Sequence, residues 1–375
     1  MRTIGIITIH KINNYGSVLQ AYALQKACED LGYKVEIIDY DFPNEFHADN
    51  PYAITGVDNS VNEPRWIKML FALALKKQHK GIAAFVRKYQ HLSSGRYQSP
   101  DLISRTPPIY DVYITGSDQL WSPRHCNGDP TFMLNFAPDG SKKISYAASF
   151  GTNSIPPELR NRYQHYLSRY TAISVRENSG AELVHSLISK QADIVLDPTL
   201  LLNGQQWNLI AYPHRVIEKK YILCYFLNYS FNAFPYADEL ADYIQKCTGY
   251  EIVRVARPPH RLNCSHTTYK IGASPEDFLA LVRDAEIVLT TSFHGTAFAV
   301  NYGRPVFSIV KNKGASDSRQ SSLLHNLGLS QQIIEIETPF PVPEASIYDV
   351  ASEQKILEAL RKKSMAYLAN ALKYE

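Results

Sequence analysis

Apolar residues along this chain fall into short β-branched runs separated by longer amphipathic stretches. The first run covers residues 3–9; a helical pattern containing Val18–Leu24 follows, and Gly32 ends it before a second run at 35–40. These forty residues predict a β-α-β unit. Residues 43–62 are polar, carry Pro43, Pro51 and Gly56, and read as an excursion. Residues 64–92 have helical periodicity with a Lys/Arg face, and runs at 112–115, 144–147, 172–175 and 194–196 read as further strands. The pattern restarts after Trp207, with strands at 221–227, 251–255, 287–290 and 306–310. Helices are expected at 237–247, from Ser274, and at 297–302.

Short apolar strands alternating with helices predict α/β folding, with parallel sheets covered on both faces. A chain of 375 residues is too long for one ordinary core. The expectation is two Rossmann-like domains, residues 1–205 and 206–350, followed by a crossover helix at 351–375. Ser352–Leu372 is amphipathic and long enough to return to the first domain. Two such domains in tandem place a ligand cleft between the carboxyl ends of their strands.

Composition narrows the function. A hydrophobic share of 45% with 20% charged residues describes a soluble globular protein. Net charge is only +3, with no basic stripe interleaved with aromatics, so nucleic acid is not an expected partner. The five cysteines form no CxxC pair, and Met1–Ile4 does not open a signal peptide. They are expected to be reduced thiols of a cytoplasmic protein. No apolar run approaches the ~20 residues that span a bilayer, so any work on a membrane-bound substrate is done from the surface, as a peripheral protein. His260 and His266 lack ligand-like spacing, and no metal is expected.

Four turns that follow predicted strands carry the candidate chemistry. Asn14, Tyr15, Gly16 and Ser17 precede a helix whose N-terminal N–H groups suit an anion, although the dinucleotide fingerprint GxGxxG is absent. A turn with a helix cap explains the same residues. Ser117 and Asp118 stand at a strand end where they could bind sugar hydroxyls, with Trp121 as a stacking platform or a core residue. Arg176 offers a bidentate fork to a carboxylate or phosphate, or else pairs with Glu177. Finally, Gly295 and Thr296 are expected to start a helix, which puts His294 at its positive edge. An imidazole there can bind an anion or donate a proton, or simply cap the helix.

The ordered set of motifs resembles the polysaccharide pyruvyl transferase family. It comprises Asn14–Gln25, Gly116–Trp121, Ser145–Gly151, Ser174–Glu177, Val195–Thr199, Thr291–Thr296 and Ser321–Leu329. The resemblance implies a two-domain fold similar to GT-B glycosyltransferases. It also implies transfer of enolpyruvate from phosphoenolpyruvate to the hydroxyls of a cell-surface or exopolysaccharide precursor, with a cyclic ketal formed and phosphate released. Phosphoenolpyruvate is then a co-substrate, no cofactor is needed, and the acceptor is a lipid-linked or nucleotide-linked saccharide. Implied catalytic residues are His294, Arg176 and Asp118. Implied donor ligands are Arg176, Ser292, His294, Gly295, Thr296 and Arg319, and implied acceptor ligands are Asn14, Tyr15, Gly16, Gln20, Ser117, Asp118 and Trp121. Some members carry arginine where Ser292 stands, so Arg319 or Arg304 would replace that cation. A nucleotide-sugar glycosyltransferase and a non-catalytic binding protein of a polysaccharide operon are the alternatives, and a homo-oligomer is compatible with all three.

Overall fold

The computed structural model describes residues 2–53, 64–227, 231–259, 262, 266–312 and 319–373. Part of the expected polar excursion (54–62), together with His260 and Cys264, lies outside them.

The first half runs β1 (Thr3–Ile7), α1 (Tyr15–Asp30), β2 (Lys34–Tyr40), α2 (Arg65–Leu70), α3 (Ala72–Tyr89) and β3 (Leu92–Tyr97). It continues with α4 (Pro100–Arg105), β4 (Val112–Thr115), α5 (Pro123–Cys126), β5 (Lys142–Ser145), α6 (Pro157–Leu167), β6 (Ser174–Val175), α7 (Asn178–Ile188) and β7 (Asp193–Ile194). Strands order as β3-β2-β1-β4-β5, all parallel, and bridges at Ile144–Ala172 and Ala148–Val175 hand the sheet on to β6 and β7.

After α8 (Gly204–Asn208), the second half runs β8 (Tyr221–Tyr225), α9 (Tyr236–Thr248), β9 (Glu251–Val255), β10 (Thr267–Lys270), α10 (Pro275–Arg283) and β11 (Ile287–Thr290). Then come α11 (Phe293–Asn301), β12 (Val306–Val310), α12 (Arg319–Asn326), β13 (Ile333–Glu335) and α13 (Val350–Leu372). Its parallel order, β10-β9-β8-β11-β12-β13, repeats the doubly wound pattern of the first sheet. The edge strands β3, β10 and β13 escape the hydrophobic pattern because one or both of their faces are only partly buried. The helical stretch expected at 64–92 breaks at Phe71 into α2 and α3 and ends before β3.

The two sheets are joined by a packed interface. The Tyr15 ring stacks on Phe278 at 4.6 Å, and its hydroxyl donates to the Ala273 carbonyl at 2.8 Å. Gln78 of α3 donates to the Tyr15 hydroxyl and to the Ala256 carbonyl. One apolar cluster runs without a break from Val18, Leu19 and Phe85 to Leu223, Phe278 and Phe298. Helix α13 crosses back as expected: Leu368 and Leu372 pack beside Ile4 and Ile114, and the Tyr367 hydroxyl donates to the Ser145 carbonyl. Arg361 of the same helix donates to the Leu200 carbonyl and to Asn301 Oδ1, tying both halves together.

Candidate active site

In a doubly wound sheet the strand order reverses once, and the loops leaving the two strands at that point splay apart to leave a crevice. Here the reversal falls between β1 and β4 in the first sheet and between β8 and β11 in the second. The loop after β1 delivers Asn14, Gly16 and Ser17; the loop after β4 delivers Ser117 and Asp118; the turn after β11 delivers Ser292 and His294. Arg176 follows β6, and Asp197 follows β7. Post-strand geometry thus gathers side chains from both sheets.

Asp197 is the hub. Its Oδ2 accepts from Arg176 Nη1 at 2.8 Å and from Ser117 Oγ at 2.7 Å, and lies 3.7 Å from His294 Nε2. Its Oδ1 accepts from the Thr199 amide at 3.0 Å and the Thr199 hydroxyl at 2.7 Å. Burial alone would raise the Asp197 carboxyl, but His294, Arg176 and the Thr199 amide outweigh it and hold the group well below the usual carboxylate range.

Asp118 is the second carboxylate. Its Oδ2 accepts from Ser17 Oγ at 2.6 Å, its Oδ1 from the Gln119 amide at 2.8 Å, and Arg176 Nη2 lies 4.0 Å from Oδ1. Burial raises this carboxyl too, and Arg176, His294 and the two hydrogen bonds reverse the sign, so Asp118 is held ionised. Its φ of 85° is unusual for a side chain with a Cβ and costs on the order of 1–3 kcal/mol. Such strain persists only where the surroundings over-determine it; here the Asp118 carbonyl also accepts from the Ser149 amide.

Between these carboxylates are three nitrogens that make no hydrogen bond. Arg176 Nε and Nη2 and His294 Nε2 are buried and without hydrogen-bond partners. Buried polar groups are nearly always paired, and a guanidinium has no acceptor, so whatever satisfies Arg176 must bring acceptor atoms. The Arg176 guanidinium carbon lies over the Phe293 ring, 4.8 Å from its centroid. A cavity of about 50 Å³ adjoins it, lined in part by Arg176, Asp197, Phe293, Arg319 and Lys363. On that measure about 10–15 Å³ already holds one water, so the space has room for a small polar group beside the guanidinium.

Two glycines make the close approach possible. A Cβ on Gly16 would lie 2.1 Å from His294 Nδ1, so only glycine lets the imidazole rest against the start of α1. A Cβ on Gly295 would lie 2.3 Å from Thr290 Oγ1, so that glycine seats α11 on β11.

Several predicted site residues do other work. Ser292, not Gly295, opens α11: it is the N-cap, its Oγ accepting from the Gly295 amide, and His294 therefore sits inside the first turn. The Thr296 amide and hydroxyl both donate to the Ser292 carbonyl, so neither Gly295 nor Thr296 has a free donor. Arginine at position 292 would forfeit the cap, which is the physical reason for serine here. Trp121 is fully buried and donates its indole N–H to the Phe132 carbonyl, leaving no face for a sugar. Tyr15 and Gln20 are likewise buried; Gln20 braces the turn after β1 through Thr8, Ile9 and Ser17. Ser117 serves Asp197, and Asn14 caps α1 through Gly16 while remaining part-exposed. Glu177 accepts from Ser149 and the Phe150 amide instead of pairing with Arg176. Arg304 stands beyond the far end of α11, whereas Arg319 opens α12 and reaches the small cavity.

Sequence reading missed Asp197 and Lys363 as site residues. Asp197 follows a predicted strand, the same signal that marked Asp118 and Arg176. Lys363 lies in the middle of a long amphipathic helix, and no local signal distinguishes it from a surface lysine.

The fold and the sequence also align with known proteins. The structure is similar to a putative UDP-N-acetylglucosamine 2-epimerase from Listeria monocytogenes, with a TM-score of 0.54 at 11% identity over 98% of this chain and 90% of that one. It is similar to UDP-N-acetylglucosamine 2-epimerase from Rickettsia bellii, with a TM-score of 0.50 at 8% identity over 99% and 96%. Arabidopsis thaliana UGT89C1 complexed with UDP aligns over 99% of both chains at 11% identity and a TM-score of 0.48. At such identities the likeness concerns the fold alone, which is GT-B-like. A sequence comparison with curated proteins finds no match. The family model "Polysaccharide pyruvyl transferase" matches residues 14–311, a span that contains every residue of the Asp118–Arg176–Asp197–His294 cluster. The chain belongs to the polysaccharide pyruvyl transferase family.

Proposed function

We propose that this protein moves the enolpyruvyl group of phosphoenolpyruvate onto two hydroxyls of a saccharide, forming a pyruvate ketal and releasing phosphate. The observation that carries the reading is the set of three buried nitrogens without hydrogen-bond partners, two on Arg176 and one on His294, between two carboxylates held ionised. A small anionic donor supplies acceptor oxygens to Arg176 and a protonatable carbon to His294.

In this reading the phosphate or carboxylate of the donor lies along the free edge of Arg176, with Arg319 and Lys363 contributing positive charge from the cavity side. Protonated His294 gives its Nε2 proton to the donor methylene, which becomes a methyl group and leaves C2 electron-poor. A sugar hydroxyl adds to C2 as its proton passes to Asp118, whose strained backbone aims the carboxylate across the crevice toward Ser17 and Arg176. The second hydroxyl then forms its bond to C2 as the C2–O bond to phosphate breaks, and its proton leaves with the phosphate. Asp197 is a positioning residue in this reading: it orients Arg176 through their hydrogen bond and stands 3.7 Å from His294 Nε2.

The test compares ligands first and chemistry second. Phosphoenolpyruvate at about 100 times its dissociation constant adds roughly 2.7 kcal/mol to unfolding stability, and UDP-sugars add none. Phosphate release that requires a saccharide acceptor, lost in His294→Ala at unchanged melting temperature, completes it. A shift by UDP-sugars alone would replace the proposal with a glycosyltransferase, and near-full turnover in His294→Ala would remove His294 from the chemistry.

A further inference from the structure

Helices α2 and α3 carry a second feature that has no part in the cluster around Asp197. Their inward stripe is ordinary: Ile67, Gln78, Ile82, Phe85 and Val86 are buried, and Phe71 packs on Tyr269 at 5.3 Å. Their outward side is not. Trp66 is 57% exposed, Met69 78%, Leu70 61% and Leu73 83%. Trp66, Met69 and Leu70 share one face of α2 at i, i+3, i+4 spacing, and Leu73 is exposed in the first turn of α3 across the break at Phe71. Folding accounts for the inward stripe and leaves these four in water.

The charges carried by α2 and α3 themselves share one sign, and Glu276 of α10 is an acid near Lys88. From residue 65 to residue 89 there are seven basic side chains, Arg65, Lys68, Lys76, Lys77, Lys80, Arg87 and Lys88, and no Asp or Glu. All seven are exposed. At about 100° per residue, Lys76, Lys77, Lys80, Arg87 and Lys88 fall within roughly 60° of Leu73. The cations thus continue the face that the apolar residues begin. On one flank of α3 opens a cavity of about 670 Å³, with Ile82, Ala83, Val86 and Leu92 in its lining and Lys11 and Arg87 beside them. The segment from Lys11 leads directly to Asn14 at the start of α1.

We infer that α2–α3 is an interfacial anchor for an anionic lipid bilayer. Trp66, Met69, Leu70 and Leu73 enter the boundary between headgroups and acyl chains, and Lys76, Lys77, Lys80, Arg87 and Lys88 lie over the headgroup phosphates. An aromatic and aliphatic wedge continued by a face on which α3 carries five cations and no acid has the chemistry of an anionic membrane surface; Glu276 of α10 offsets only the Lys88 end. No described helix is long and apolar enough to cross a membrane, so the contact is peripheral. Where the acceptor saccharide is carried on a lipid, a point that rests on the proposed function, this anchor brings the crevice and the flanking cavity to it.

The full chain is tested by flotation with phosphatidylcholine vesicles and with vesicles containing phosphatidylglycerol. Binding is expected to the anionic vesicles only, with a blue shift of Trp66 emission, and to fall steeply with added salt. Lys76→Glu/Lys77→Glu/Lys80→Glu and Trp66→Ser/Leu70→Ser/Leu73→Ser each lower binding by more than about tenfold at unchanged melting temperature. Phosphate release with a short water-soluble acceptor stays at wild-type level in both, so loss of docking is distinguishable from failure of the proposed chemistry. Equal binding to neutral vesicles, no binding to either, or a concentration-dependent dimer that Leu73→Ser dissolves would overturn the inference.

Discussion

Gly16→Ala tests the placement of His294 without removing any charge or hydrogen-bonding side chain. The new Cβ would lie 2.1 Å from His294 Nδ1, 2.3 Å from Cγ and 2.7 Å from the histidine Cβ. Ordinary contact begins near 3.4 Å, so the imidazole must retreat by 3.4 − 2.1, or about 1.3 Å. The blocking atoms belong to a ring seated in the first turn of a buried helix, so the ring cannot simply swing into solvent. Misplacement of a reacting group by ~1 Å costs on the order of 10²-fold in rate. Overpacking costs about 1–3 kcal/mol of stability, and alanine in α1 returns up to ~1 kcal/mol.

The expected result is therefore a folded protein, slightly destabilised, whose phosphoenolpyruvate-dependent phosphate release falls by roughly two orders of magnitude. Turnover at saturating donor and acceptor, read beside a denaturant unfolding curve, measures both. Wild-type turnover together with wild-type stability would refute the reasoning, since it would mean either that the imidazole moves freely or that its position does not matter.

Asp197→Asn leaves Arg176 buried beside a neutral amide, and should lower unfolding stability by about 2–4 kcal/mol at pH 7, part of the loss being offset by Asp118. Because the native Asp197 pKa is depressed, its contribution is present above the unfolded value of ~3.9 and fades as pH falls below it. The gap between mutant and wild type should therefore be smaller at pH 3 than at pH 7, and a gap that stayed constant would contradict the assignment. Glu353 on α13 runs the other way: burial pushes its carboxyl up to about 7, with Gln354 and Arg361 opposing, and one of its oxygens has no hydrogen-bond partner. A raised carboxyl favours the protonated folded state, so stability should decline as pH rises from about 4.5 to about 7. The ceiling is ~3 kcal/mol, reduced to about 1–2 by partial solvent screening. Glu353→Gln should remove that decline and melt higher than wild type at pH 8; an unchanged pH profile would remove Glu353 as its source.

The fold was readable from the sequence wherever strands are buried on both faces. The runs at 3–9, 112–115, 221–227, 287–290 and 306–310 all contain observed strands, because a strand buried on both faces must be apolar at successive positions. Edge strands carry no such demand, and Leu92–Tyr97, with the sequence LSSGRY, resembles a loop. The site was readable to the extent that it follows strand ends: Asp118, Arg176 and His294 share that position and converge. Burial of the aromatic and amide residues was not readable. Trp121, Tyr15 and Gln20 lie near the polar site residues in sequence, but Trp121 packs into the first-half core, Tyr15 across onto Phe278, and Gln20 against the turn after β1; direction is not encoded in spacing. Ser292 shows the converse: its role as a cap follows from where α11 begins, and that boundary moved by a few residues between expectation and structure.

Both halves of the chain build the cluster, so its geometry depends on what holds them in register. The loop from Asp197 to Asn203 belongs to the first half, and Asp197 meets His294, which starts α11 in the second. Asn301, the last residue of the same helix, donates to the carbonyls of Thr199 and Leu202 within that loop. Helix α11 thus meets the loop near both of its ends, at His294 and Asn301, about 10 Å apart at 1.5 Å per residue. Trp207 packs edge-on against Phe298 midway along the helix, and its indole also donates to the Thr199 carbonyl. A hinge between the sheets would have to break these contacts together with the Tyr15–Phe278 stack. Relative motion is the default for small polar interfaces between domains, and this one is apolar and continuous with the core. The 3.7 Å separation of His294 and Asp197 is accordingly a property of the folded chain before any ligand arrives, so under the proposed function the energy of donor binding goes to aligning the donor instead of closing a cleft.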